Sequence, residues 1–143
     1  MSERVIVRQN SRMEVEILAA ESDGEENQEL HPVGRIDDLT PYGMLLAGLG
    51  TCTTVVLHTY ARSHDVPLEQ AEVVVEYRRD FRDDCEHCEE IERYEEAILE
   101  DVRFEGNLSV QQREVLERVA ELCSIRKMLE SGVSVRPASG AGG

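Results

Sequence analysis

The chain has no tryptophan, two phenylalanines and four tyrosines among 143 residues. An aromatic core is thereby excluded, and aliphatic side chains and alanine must fill the interior. Basic residues are scarce too, 15 against 30 acidic ones, for a net charge of −15. A surface of that sign repels nucleic acid and anionic lipid and favours neutral or cationic ligands, so neither nucleic acid nor a membrane is an expected partner. The N-terminal stretch MSERVIVRQNSRMEVEI alternates polar and apolar residues and lacks the apolar segment of an export signal. The expected compartment is a reducing cytoplasm, where cysteines are more often catalytic, metal-bound or inert than paired in structural disulfides. No glycine-rich phosphate loop, Ser-His-Asp constellation or basic patch is present. Without repeats or a dividing linker, residues 1–143 read as a single domain, with 138–143 as a frayed tail.

Against this charged background, residues 40–61 carry no charge at all: TPYGMLLAGLGTCTTVVLHTYA. The run is long enough to span a bilayer. Its threonines (Thr51, Thr53, Thr54 and Thr59), His58 and three glycines argue instead for a helix buried on most sides. Thr40 is a natural cap and Pro41 suits the first helical position, where its missing N–H costs nothing. The helix is predicted to run to about Arg62 or His64.

Elsewhere, period-two alternation predicts strands around a polar RQNSR turn and over AEVVVEYRRDF and AILEDVRFEG, with HPVGRI as a short third strand. Glu21–Glu29 reads as an acidic loop. NLSVQQREVLERVAELC reads as a helix opened by a capping box of Ser109 and Gln112, and SIRKMLESG as a shorter one stopped by Gly132. VSVRP reads as a terminal strand. The resulting order, β-β-β-α-β-β-α-α-β, is that of an α+β fold.

Four cysteines remain to be placed: Cys52, Cys85, Cys88 and Cys123. Leu45, Leu49, Cys52 and Val56 share one helical stripe, and Leu116, Val119 and Cys123 another. In a small domain two apolar stripes pack together, so Cys52 and Cys123 are expected to approach although 71 residues separate them. Free cysteine is often only a small buried hydrophobe. Two features favour chemistry: Gly48 and Gly50, each costing a helix about 1 kcal/mol relative to alanine, and Arg126 with Lys127, whose positive charge would favour the thiolate.

TPYGMLLAGLGTCTTVVLHTYA resembles the first cysteine segment of the OsmC/Ohr family, the osmotically inducible and organic-hydroperoxide-resistance proteins. GNLSVQQREVLERVAELCSIRKML resembles the second, in the right order and with a strand between them. The resemblance covers about residues 5–136. It implies an OsmC-like α+β fold, long central helices wrapped by antiparallel β-sheets, in an intertwined homodimer. It also implies a cofactor-free thiol peroxidase for organic hydroperoxides, serving defence against oxidative stress. Cys52 would become a sulfenic acid, Cys123 would resolve it to a Cys52–Cys123 disulfide, and a dithiol or lipoyl protein would reduce that bond. The family's peroxidases carry a glutamate after the proline of the first motif; here Tyr42 and Gly43 follow Pro41. They also use an arginine to hold the thiolate, for which Arg8, Arg12 and Arg35 are the candidates. The alternative is a non-enzymatic protein on the same scaffold that binds a small molecule or zinc.

Cys85 and Cys88 flank His87 in CEHC, within a polar excursion. Three readings stay open: exposed thiols, a redox pair serving the Cys52 site, or half of a zinc site. The acidic neighbours Asp83, Asp84, Glu86, Glu89 and Glu90 disfavour spontaneous thiolate formation, a cost that bound metal would offset. His58 lies six residues beyond Cys52 and reads as a core or interface histidine; His31 and His64 read as loop or helix-end residues.

Overall fold

A computed structural model describes residues 2–20, 29–81 and 94–139 of the chain. Strands β1 (Ser2–Asn10), β2 (Val15–Ala19) and β3 (His31–Pro32) come first, followed by a short 3₁₀ turn at Ile36–Asp38. Helix α1 (Pro41–Ser63) leads into β4 (Leu68–Phe81) and β5 (Tyr94–Gly106), and α2 (Val110–Ala120) and α3 (Ser124–Ser131) follow. The five strands form one antiparallel sheet in the order β3-β2-β1-β4-β5.

Alternation sets which strand residues face the helices. Val5, Val7 and Gln9 of β1 and Ala71, Val73, Val75 and Tyr77 of β4 are buried, while their neighbours are not. Helix α1 lies across this face. Its start is fixed as the sequence predicts: Pro41 occupies the first turn, and the Thr40 hydroxyl accepts a 2.9 Å hydrogen bond from the Gly43 N–H. The same hydroxyl donates to Glu3 at 2.7 Å, tying the cap to β1.

Gly50 explains the close seating of α1 on the sheet. A Cβ there would stand 2.7 Å from Val7 Cγ2 and 3.2 Å from Val75 Cγ2. Gly48, by contrast, faces open space. By length and composition α1 is long and apolar enough to cross a membrane, but half of its apolar stretch is buried inside this fold.

Two core clusters result. One gathers Val5, Val7, Leu46, Leu49, Val73, Val75, Tyr77 and Cys123 around the first half of α1. The other joins Leu57 and Ala61 to Leu68, Ala71 and the α2 residues Leu116, Val119 and Ala120. His58 is a core residue, with its Nε2 2.7 Å from the Gln9 carbonyl oxygen. Because a carbonyl can only accept, Nε2 carries the proton.

Three expectations need correction. Residues 132–137 form no strand; Val133 and Val135 are 62% and 91% exposed, with neither a sheet neighbour nor an apolar surface to hold them extended. Cys123 does not continue α2, which ends at Ala120; it is the N-cap residue of α3. The α1 stripe is not uniformly core-facing either. Leu49 is buried, Cys52 half-buried and Leu45 40% exposed, because the stripe runs along the edge of the contact rather than its centre.

Candidate functional site

The chain brings Cys52 and Cys123 together. Cys52 leaves α1 at the margin of the sheet contact and is half-buried. Cys123 is 0% exposed and packs in the cluster beneath it. Their sulfurs lie within hydrogen-bonding reach of each other, and both are free thiols.

The break between α2 and α3 gives this pair its electrostatics. At Cys123 the chain leaves one helix and begins the next, so the first N–H groups of α3 have no partners within the helix. The Ile125 and Ser124 N–H groups and the Ser124 hydroxyl point at Cys52. Burial pushes the Cys52 thiol up. The Cys123 thiol, the Ile125 N–H and the Ser124 donors outweigh it and hold Cys52 below its ordinary value. Cys123 moves the other way: burial raises it, and so does donating its proton toward Cys52. The two sulfurs therefore sit in unlike surroundings: the donors around Cys52 favour loss of its proton, while burial and the bond toward Cys52 favour retention of the proton at Cys123.

The expected helpers Arg126 and Lys127 are not among these donors. Arg126 pairs with Glu130 at 2.9 Å and lines a different cavity, and Lys127 is exposed. Neutral donors of the α3 first turn take the part expected of charge. Sequence reasoning missed them because the run NLSVQQREVLERVAELC reads as an unbroken helix through Cys123; the break lies one turn earlier.

Cys52 opens into a cleft of about 650 Å³. Its walls are Met44, Ala47, Gly48, Thr51, Val55 and Val56 of α1, with Ile17, Val33 and Leu39 opposite. Gly34, Arg35 and Ile36 complete the rim. The three arginines are placed differently. Arg8 lies on the outer face of the sheet, bonded to Glu72 at 2.8 Å. Arg12 is exposed in the β1–β2 turn. Arg35 alone of the three borders the cleft, its guanidinium held by both carboxylate oxygens of Asp37 at 3.0 and 2.9 Å. At the position of the family's glutamate, Tyr42 turns away from the cleft and stacks on Tyr77, ring centroids 4.9 Å apart.

No group of three or more metal-ligating side chains occurs among the described residues. Cys85, His87 and Cys88 lie outside them.

No curated protein sequence matches the chain. The crystal structure of an OsmC-like hydroperoxide resistance protein from Jannaschia sp. CCS1 superposes with a TM-score of 0.65 over 95% of this chain and 91% of that one, at 14% identity. That likeness is one of fold, and it matches the antiparallel sheet and three helices described above. The OsmC-like protein family model matches residues 34–137, from the rim of the cleft through α1 and the Cys123 turn to the residues after α3, and the chain belongs to that family.

Proposed function

We propose that this protein is a thiol-dependent peroxidase that reduces organic hydroperoxides. One observation carries the reading: a thiol favoured as thiolate, Cys52, opens into an apolar cleft while a protonated thiol, Cys123, stands within reach behind it. The Cys52 thiolate attacks the distal oxygen of ROOH, the O–O bond breaks, and the departing alkoxide takes a proton to leave as ROH. Cys52 then holds a sulfenic acid. Attack by Cys123 sulfur forms the Cys52–Cys123 disulfide and releases the hydroxyl with a proton as water. An external dithiol, free or lipoyl-borne, reduces the disulfide and restores both thiols. The cleft walls suit an alkyl body better than hydrogen peroxide, and of the three candidate arginines the proposal gives Arg35, which lines the cleft, the role of orienting the peroxide. No cofactor is needed.

The working unit is proposed to be a homodimer in the cytoplasm. The exposed side of α1 supports this, since Met44, Leu45 and Val55 are each between 37% and 40% exposed along one helix. Cys85 and Cys88 are assigned no step.

The test is peptide mapping of reduced protein after one equivalent of cumene hydroperoxide. The expected product is the Cys52–Cys123 disulfide, with a trapped sulfenic acid at Cys52 in the Cys123→Ser protein. Persistence of both thiols in folded protein would overturn the peroxidase and leave the rival reading, a small-molecule-binding protein whose ligand fills the same cleft. That rival draws on the missing carboxylate after Pro41. A disulfide confined to Cys85 and Cys88 would move the redox chemistry off the helices.

A further inference from the structure

The lining of the Cys52 cleft bears on the charge of the molecule that enters it. Ile17, Val33, Leu39, Ala47 and Val56 make its walls apolar, and among the described residues that line it Arg35 is the one charged side chain. Arg35 flanks the 3₁₀ turn Ile36–Asp38 on its N-terminal side, and the turn brings Asp37 back onto it. Asp37 takes the guanidinium with both oxygens: Nε donates to Oδ1 at 3.0 Å and Nη2 donates to Oδ2 at 2.9 Å. The fork that would grip an incoming carboxylate bidentately is thereby filled from within the same turn. Asp38 adds a second acid to that turn. The two paired side chains are 76% and 63% exposed, so water screens what attraction for an anion remains.

A substrate that carries a carboxylate meets three costs here. It sheds hydration on entering the apolar walls. It finds the guanidinium of the cleft already taken. It also brings negative charge toward a sulfur whose donors favour the thiolate, in a chain of net charge −15. An uncharged body meets none of these and gains from burial.

We propose that the cleft selects hydroperoxides with an uncharged apolar body, hydrocarbon or ester, over those that carry a free carboxylate, and that the Arg35–Asp37 pair sets this preference. The inference rests on the peroxidase reading and adds to it the class of substrate. Asp37 engages two of the Arg35 N–H groups and leaves others to meet a peroxide oxygen, which needs no unpaired positive charge. Arg35 and Asp37 stand on the connection between β3 and α1 rather than on the helix, and a partner copy would bring the same acidic composition.

The experiment compares three hydroperoxides that share one reacting group: cumene hydroperoxide, its para-carboxylate and the methyl ester of that acid. The readout is the second-order rate of peroxide consumption by the reduced full chain, near neutral pH and at low ionic strength. The ester is expected to react about tenfold faster than the carboxylate, or more. Asp37→Asn, which releases the guanidinium, should shrink the ester-to-acid ratio about threefold or more. Arg35→Gln, which leaves Asp37 unpaired, should widen it. Both positions are exposed, so neither variant is expected to cost the fold. Equal rates for ester and acid, or a ratio that Asp37→Asn leaves unchanged, would overturn this inference while the peroxidase reading stands. Failure of all three compounds to react, cumene hydroperoxide included, would instead remove the peroxidase reading and this inference with it.

Discussion

The two flanks of α1 solve opposite problems with the same helix. On one flank Cys52 faces an apolar cleft whose rim bears Arg35, and the donors around its sulfur favour negative charge. On the other flank Tyr42, Leu45 and Leu49 face a carboxylate on β5 whose surroundings disfavour negative charge. The difference comes from what faces the helix. Behind Cys52 lies the start of α3, whose first N–H groups turn toward the sulfur; behind Leu49 lies the interior face of β5, where Arg126 and the Thr53 hydroxyl only partly offset the burial of Glu100. A buried anion is tolerated or penalised according to the backbone dipoles aimed at it, more than by depth alone.

The largest break in that comparison is at the sulfurs. Cys52→Ser is expected to abolish hydroperoxide consumption, a loss of a hundredfold or more, because a serine hydroxyl is not a thiolate near neutral pH. Cys123→Ser should still allow one turnover and stop at the sulfenic acid. A ferrous-oxidation peroxide assay separates them: a stoichiometric burst from Cys123→Ser and none from Cys52→Ser. Equal bursts would remove Cys52 from the attacking role.

The next effect lies in the seating of the helix itself. Gly50→Ala places a Cβ 2.7 Å from Val7 Cγ2, with Val75 crowding from the other side. Overpacking of this kind costs about 1–3 kcal/mol, and the gain of about 1 kcal/mol in helix propensity offsets part of it. Gly48→Ala meets no neighbour and should keep that gain. Urea titrations should therefore move the two midpoints in opposite directions. Movement in the same direction would mean that α1 can lift off the sheet without cost.

Much of this was legible in the chain. The uncharged run and its Thr40-Pro41 start specify α1, and the alternating valines of β4 specify the sheet face beneath it. The approach of Cys52 and Cys123 followed from their apolar neighbours. What stayed hidden depended on helix ends and on residues distant in sequence. No local pattern marks the break at Glu121–Cys123, because Val119, Ala120 and Cys123 continue the apolar spacing of α2 up to the point where α3 begins. The VSVRP alternation is genuine, but a strand requires a neighbour and none of the described strands provides one. Glu100 had a visible signal, an acid at the apolar phase of β5; only the fold shows what stands opposite it.

Ser124 offers a finer cut at the Cys52 flank. Its hydroxyl and N–H both favour the thiolate, and Ser124→Ala removes only the hydroxyl. Alkylation of Cys52 by iodoacetamide near pH 7 should slow about three- to tenfold, in line with the loss of one hydrogen bond of ~1 kcal/mol to a charged group. The pH midpoint of alkylation should move up at Cys52, while Cys123, which burial and its own donated proton hold up, should not become easier to label.

The smallest expected effect tests the neutral core between the flanks. Burial lowers the pKa of His58, and Arg62 lowers it further against the Gln9 carbonyl. The unfolded chain then binds a proton that the folded one refuses, so stability falls as pH drops below the free histidine value of about 6.5. It should be flat above that value on this account. His58→Gln keeps an N–H donor for the Gln9 carbonyl without the titration. The variant should lose a little stability at neutral pH and show a shallower decline of Tm toward acid than the parent. A decline of equal slope would leave His58 as packing alone.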